Sequence, residues 1–466
     1  MHRVRCSAIA RDGEWPDKPY RNRTRGAEQL HSERRDVLHS WCVQSEWDAP
    51  RVTGGLGARL FLEDGRTILD MSSLAECANL GHQHPQVVEA IRAQAEALCF
   101  VTNAWGAEPR AELAARLLEL SGDDGGRVFF TLGGADANEH AVKFARQASG
   151  LPHGLILTRE RSYHGASYFG MALSGDARTK GQVDAAAFGV RHVAAPDAYR
   201  SQAEPEACGR LAAEAVGEAI VEAGGAVAGV LMEPNAGTNG VVAPDSYWPE
   251  LRRITRQAGV FLIADEVMSA FGRCGEWFAW SRHGESGRPD MMTLAKGLTG
   301  ASLPLGAVVL SAEVAARLEH QMLMTGLTYC GHPLCCAAGL AALKAYADGD
   351  LIARSRRLGA GMLAELQRMQ ARHAVIGDVR GGHGLFAVIE LVADRVAKTP
   401  LAAWPQTPAP LKALVQAAMA EGVSFATRGS LIILAPPLVI AENDLADALA
   451  LLDALIGRFF PSAEAA

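Results

Sequence analysis

In the stretch MMTLAKGLTG, residues 291–300, one lysine ends an apolar run and precedes a glycine-bearing bend. The chain has 45 basic residues, but only seven are lysines, at positions 18, 143, 180, 296, 344, 398 and 412. Burial removes the hydration that only an ammonium enjoys, so Lys296 is expected to have a lowered pKa and to present a neutral amine. Arginine stays protonated and cannot do this. A neutral amine can attack an aldehyde and form a Schiff base, which makes Lys296 a candidate for covalent catalysis. Taken alone, a lysine that snorkels from a strand end is the commoner case.

Further along the same reading, VFLIADEV places Asp265 and Glu266 at the end of an apolar strand. Ligands gather at the carboxyl ends of parallel strands. A carboxylate at that depth needs a cationic partner, for which a protonated pyridine nitrogen is one candidate; a helix cap and a metal ion are others. RVFFTLGGADANEHAVKFARQA runs a strand into Gly133 and Gly134 and opens a helix near Asp136. Glycines there let backbone N–H groups approach a phosphate, whose charge the helix dipole favours. The spacing is neither G-x-G-x-x-G nor G-x-x-x-x-G-K-[ST], which argues against a dinucleotide or a nucleoside triphosphate. RSYHGASY adds Tyr163 and His164 just after a strand, where an aromatic could stack on a planar ring or simply fill core. GLTYCGHPLCC places Thr328 ahead of another helix.

These residues need a scaffold. Near-continuous apolar runs at RVFF, GLILT, VAGVLM, VFLIAD, MMTLAK and GAVVLS read as strands covered on both faces, with helical segments between many of them. The alternation predicts an α/β domain around a mainly parallel sheet. ARLFLEDGRTILDM reads as a hairpin around its Asp-Gly turn. Residues 350–458 read as helix, strand, helix, strand, helix. The expected organisation is an N-terminal arm over 1–35, flexible by composition, and a large domain over 99–349. A smaller domain is built from both chain ends, 36–98 and 350–466.

The totals narrow the function classes. With 466 residues, 49% hydrophobic and 21% charged, the chain reads as an ordinary globular protein. A net charge of -7 and the lack of a basic stripe argue against a nucleic-acid partner. The nine cysteines form no C-x-x-C pair and no zinc spacing, so free thiols, no metal and a cytoplasmic setting are expected. No apolar run has the length of a membrane helix.

DEVMSAFGR, the aspartate-to-lysine spacing, TLAKGL, GLTYCGHP and PPL together resemble the class III aminotransferases, fold type I enzymes dependent on pyridoxal phosphate. The resemblance runs from about residue 38 to 458 and is nearest to the omega-aminotransferase branch. It implies a fold type I α/β architecture with a seven-stranded, mainly parallel sheet. It also implies roles. Lys296 would join the cofactor covalently, Asp265 would pair with its ring nitrogen, and Val267 and Tyr163 would pack on its two faces. Gly134 and Ala135 would hold the phosphate through backbone N–H groups, with His164 also in the cofactor site. Thr328 would reach the phosphate of a neighbouring subunit, implying a homodimer and leaving a tetramer open. Trp41 would wall the substrate pocket, and Arg428 would grip a substrate carboxylate.

The implied reaction is ping-pong transfer of an amino group from an amine or omega-amino acid to a keto acid, pyruvate or 2-oxoglutarate. The same fold also carries aminomutases, racemases and a decarboxylase, and a non-catalytic binding relative is a further alternative. Several positions depart from the family pattern. Ala135 lacks a hydroxyl, Met268 replaces a glutamine, and Cys274 replaces a threonine. Glu76 stands where an apolar pocket residue is usual, which raises the expectation that it meets a second cation on the amine donor.

Overall fold

A computed structural model describes residues 33–461. All but the last three residues of the expected N-terminal arm therefore lie outside the described residues. At the centre is a seven-stranded sheet in the order Arg127–Thr131, Gly306–Leu310, Met291–Leu294, Phe261–Asp265, Val227–Met232, Leu155–Arg159 and Val190–Val193. All strands run parallel except Gly306–Leu310, which is antiparallel to both neighbours. The sheet is mainly parallel, as expected.

Both faces are covered. Phe261 and Ile263 point to one core with Ala137, Ala141 and Ala145 of the helix Gly134–Ala148. Leu262 and Ala264 point to the other, with Val216 of the helix Pro205–Glu222 and Leu251 of Tyr247–Ala258. Because neither face meets water, these strands can be apolar at every position, and each fully buried aliphatic side chain contributes about 1.5–3 kcal/mol. The alanine stripe at every fourth residue lets the helix Gly134–Ala148 lie close on the sheet, which fixes where its first turn ends up.

Around this centre lie smaller sheets. One pairs the antiparallel strands Val52–Leu56, Arg59–Leu62 and Thr67–Asp70 with the distant Val423–Ser424. It thus joins segments from both chain ends. Another pairs Ile376–Gly381, Ala387–Asp394, Leu431–Leu434 and Ala426–Arg428. The C-terminal part therefore holds more strands than the two expected, because the Gly-rich bend after Ile376–Gly381 turns one apolar run back on another.

Two buried polar joints tie the C-terminal part to the central sheet. Arg273 has no exposed surface and donates to the carbonyls of Leu385 at 2.8 Å and Pro436 at 2.6 Å. Glu390 is buried between Arg200 and Arg380, while Asp197 pairs with Arg161. The Arg380 and Arg200 guanidiniums beside Glu390 hold its carboxyl below the usual glutamate range despite burial. Removing one member of such a set leaves the others buried without a counter-charge. Glu390→Gln is therefore expected to destabilise the protein by about 3–5 kcal/mol, read as a lowered denaturant midpoint; an unchanged midpoint would show that water already screens the joint.

Candidate active site

The chemistry-bearing residues meet in one cavity of about 490 Å³ at the carboxyl end of the central sheet. Its walls include Gly134, Ala135, Tyr163, His164, Asp265, Val267 and Lys296. One end is the first turn of the helix Gly134–Ala148, which no side chain caps. Its free N–H groups and dipole make an anion site. Glycine is required here for space: a Cβ on Gly134 would lie 2.8 Å from Val267 Cγ1. Gly165, at φ 128°, would bring a Cβ to 2.5 Å from that of Ala135.

Asp265 ends the strand Phe261–Asp265 and accepts three hydrogen bonds. Val267 N donates to Oδ1 at 3.0 Å, while Asn138 Nδ2 and His164 Nδ1 both reach Oδ2 at 2.7 Å. A carboxylate only accepts, so the His164 proton sits on Nδ1. Asn138 is held in turn by Thr293, whose hydroxyl donates to Oδ1 at 2.7 Å. Sequence reasoning missed Asn138. Its signal was position: one helical turn after Gly134 it must face the same cavity.

Lys296 follows the strand Met291–Leu294 and has φ 44°, the left-handed region that non-glycine residues rarely occupy. Its Nζ lies 3.2 Å from Glu76 Oε2. This overturns the expected lowered pKa. Burial does pull the ammonium's pKa down, but Glu76, Cys77 and Asp265 together carry it above the ordinary lysine value. Only a fifth of the side chain is open to the cavity, and the amine end is crowded by these acidic groups.

The other candidates lie outside the cavity wall. Glu76 is buried against Lys296. Trp41 is exposed, edge-on to Tyr163 at 6.2 Å, with the Arg178 guanidinium 4.5 Å above its ring. Arg178, which sequence reasoning did not find, also lies over Tyr163 at 5.6 Å and pairs with Asp176. Arg428 is half-buried, donates to the Thr427 carbonyl, and leaves its buried Nε without a protein partner. Thr328 is exposed on a loop and does not line the cavity of its own chain.

The family model for class III aminotransferases matches residues 44–456. The chain belongs to this family. It is 34% identical to a taurine–pyruvate aminotransferase of Rhodobacter capsulatus, over 91% of this chain and 96% of that one. It is also 34% identical to a leucine/methionine racemase of Thermococcus litoralis, over 84% of this chain and 87% of the other. Among solved structures, a taurine:2-oxoglutarate aminotransferase of Bifidobacterium kashiwanohense, in complex with pyridoxal phosphate and glutamate, superposes with a TM-score of 0.89. The identity is 33%, covering 95% of this chain and 99% of that one. The fold and the aminotransferase class are thereby established.

The cavity fits the cofactor the family implies: an uncapped helix start for a phosphate, a three-fold-bonded carboxylate for a ring nitrogen, and an amine for an aldehyde. Asn138→Ala removes one donor to Asp265, worth about 1.5–3 kcal/mol for a charged acceptor. It is expected to weaken pyridoxal phosphate binding at least tenfold in an absorbance titration. Unchanged affinity would mean that His164 and the Val267 amide suffice to orient the carboxylate.

Proposed function

We propose that this aminotransferase uses pyridoxal phosphate to move an amino group from an amine or omega-amino acid to a keto acid, pyruvate or 2-oxoglutarate. One observation carries the reading: Lys296, Asp265 and the free start of the helix Gly134–Ala148 share a single cavity. When bound, the cofactor supplies an aldehyde that captures amines and a protonated ring that disperses carbanion charge. The protein supplies the rest. Gly134 and Ala135 hold the phosphate by backbone N–H groups, Asp265 pairs with the ring nitrogen, and Tyr163 and Val267 flank the ring. Lys296 Nζ takes the proton from the substrate carbon bearing the amino group and later returns one.

The pocket mouth supports a donor or acceptor with an anionic end. Arg428 presents a buried Nε that no protein acceptor meets, suited to a carboxylate or sulfonate. The taurine-named relatives fit that chemistry, and Trp41 would wall the same side. The homodimer reading draws support from the exposed apolar side chains Trp105, Met322, Met324 and Tyr329, the last next in sequence to the exposed Thr328. A cytoplasmic setting draws support from the free cysteines among the described residues; no helix there is long and apolar enough to cross a membrane.

The racemase relative keeps a second reaction in view, one that needs no external acceptor. The test is the absorbance spectrum of the purified protein with amines alone. Bleaching of the visible band, reversed by pyruvate or 2-oxoglutarate, is the expected result; turnover without a keto acid would favour racemisation. Lys296→Ala should abolish turnover, and Arg428→Ala should raise KM for the keto acid at least tenfold while sparing amines without a carboxylate. An equal loss for both substrate kinds would remove Arg428 from the anion site.

A further inference from the structure

Glu76 sits in an unusual piece of backbone. Ser73, Leu74, Ala75 and Glu76 have φ values of 49°, 48°, 68° and 59°, four consecutive non-glycine residues in the left-handed region. Each costs about 1–2 kcal/mol relative to the right-handed form. Strain of this kind persists only where the surroundings impose it. Here Ser73 Oγ donates to the Ala435 carbonyl at 2.7 Å, and Arg273 donates to Ser73 Oγ at 2.9 Å and to Asn79 Oδ1 at 2.8 Å. The held turn aims a carboxylate that is 2% exposed at Lys296 Nζ. Its second oxygen is buried and has no hydrogen-bond partner.

We propose that Glu76 is a positioning residue for Lys296, which holds the freed amine and stabilises the charge that appears on it when it takes the substrate proton. This rests on Lys296 being the reacting amine. In that step the substrate C–H bond breaks, its electron pair stays with the substrate carbon, and an N–H bond forms at Nζ. The amine becomes an ammonium with little of its side chain exposed, where a preorganised carboxylate 3.2 Å away offsets part of the hydration it lacks. The proton then leaves Nζ for the acceptor carbon, and the carboxylate remains for the next cycle. The contact that Glu76 makes here is with Lys296, through one carboxylate oxygen.

Other groups share this environment and set what the test must separate. Cys77 comes from the same turn, Asp265 from the central sheet, and Tyr163 from the loop after Leu155–Arg159. Arg273 also interacts electrostatically with Glu76. Of these, Glu76 makes the direct contact. Burial would lower the lysine pKa, and the neighbouring acids more than cancel that effect. Neutralising Glu76 therefore shifts the titration of Lys296 to lower pH.

The experiment uses the full chain carrying Glu76→Gln and, as a charge-preserving control, Glu76→Asp. In protein freed of cofactor, acylation of Lys296 by acetic anhydride is followed against pH by peptide mass spectrometry. The midpoint is expected to fall by at least one pH unit in the Gln variant and to return most of the way in the Asp variant. In loaded protein, the amine half-reaction should slow at least tenfold in the Gln variant with KM little changed. A midpoint that does not move in Glu76→Gln overturns the proposal. So does a changed preference among diamines of different length with the midpoint intact, which would return Glu76 to substrate binding. Failure of the underlying reading looks different: Lys296→Ala protein would keep the visible band and the turnover of the parent.

Discussion

A guanidinium without access to water holds this molecule's parts in register. Arg273 comes from the loop after the strand Phe261–Asp265 and donates to two carbonyls of the C-terminal part and two side chains of the segment 73–79. Removing such a charge from water costs several kcal/mol, which good hydrogen bonds must offset. No carboxylate hydrogen-bonds it, and Glu76 supplies the largest negative influence on it. Three chain segments distant in sequence thus depend on one side chain for their relative placement. The active site is built where they meet.

That arrangement explains why Glu76 is tolerated in a core position. Its charge acts on both Arg273 and Lys296, so the buried carboxylate serves two buried cations. The same pairing reverses the simple expectation for Lys296. Loss of hydration is the largest single effect and disfavours an ammonium, but Glu76, Cys77 and Asp265 together outweigh it in a weakly screened site. The largest raising contribution comes from Glu76, a residue 220 positions away. Nothing in the run MMTLAK could carry it.

The same distinction separates what was legible from what was not. Six central strands and the Asp-Gly hairpin follow from apolar runs and turn chemistry, because double burial and turn type act locally on sequence. The seventh strand, Val190–Val193, escaped notice: it lies at the sheet edge, and its Arg191 and His192 break the apolar run. The left-handed turn Ser73–Glu76 gave no signal, since its residues lack the glycine that normally marks positive φ. Gly134, Asp265 and Lys296 were legible as residues at strand ends and a helix start. Asn138 and Arg178 were not, because each acts through a partner brought near only by folding. Thr328 was legible by its place ahead of a helix, but its role came from family resemblance.

The environment of Asp265 shows how the chain concentrates negative charge at one point. Two glutamates, Glu233 and Glu266, lie in the same buried layer, and burial pushes both up to about 7. Arg159 offsets part of that cost for Glu233; the Ser269 hydroxyl and the Trp280 amide do so for Glu266. Three full negative charges so close would repel one another in a weakly screened interior. Near neutral pH the two glutamates can hold protons that the unfolded chain would release. Relative to that chain, the stability they contribute is fully present below about pH 4.5 and is lost progressively as pH rises through about 7. Asp265 accepts from three N–H donors. The layer thus places two acids that burial disfavours as anions beside a third whose oxygens are met by N–H donors.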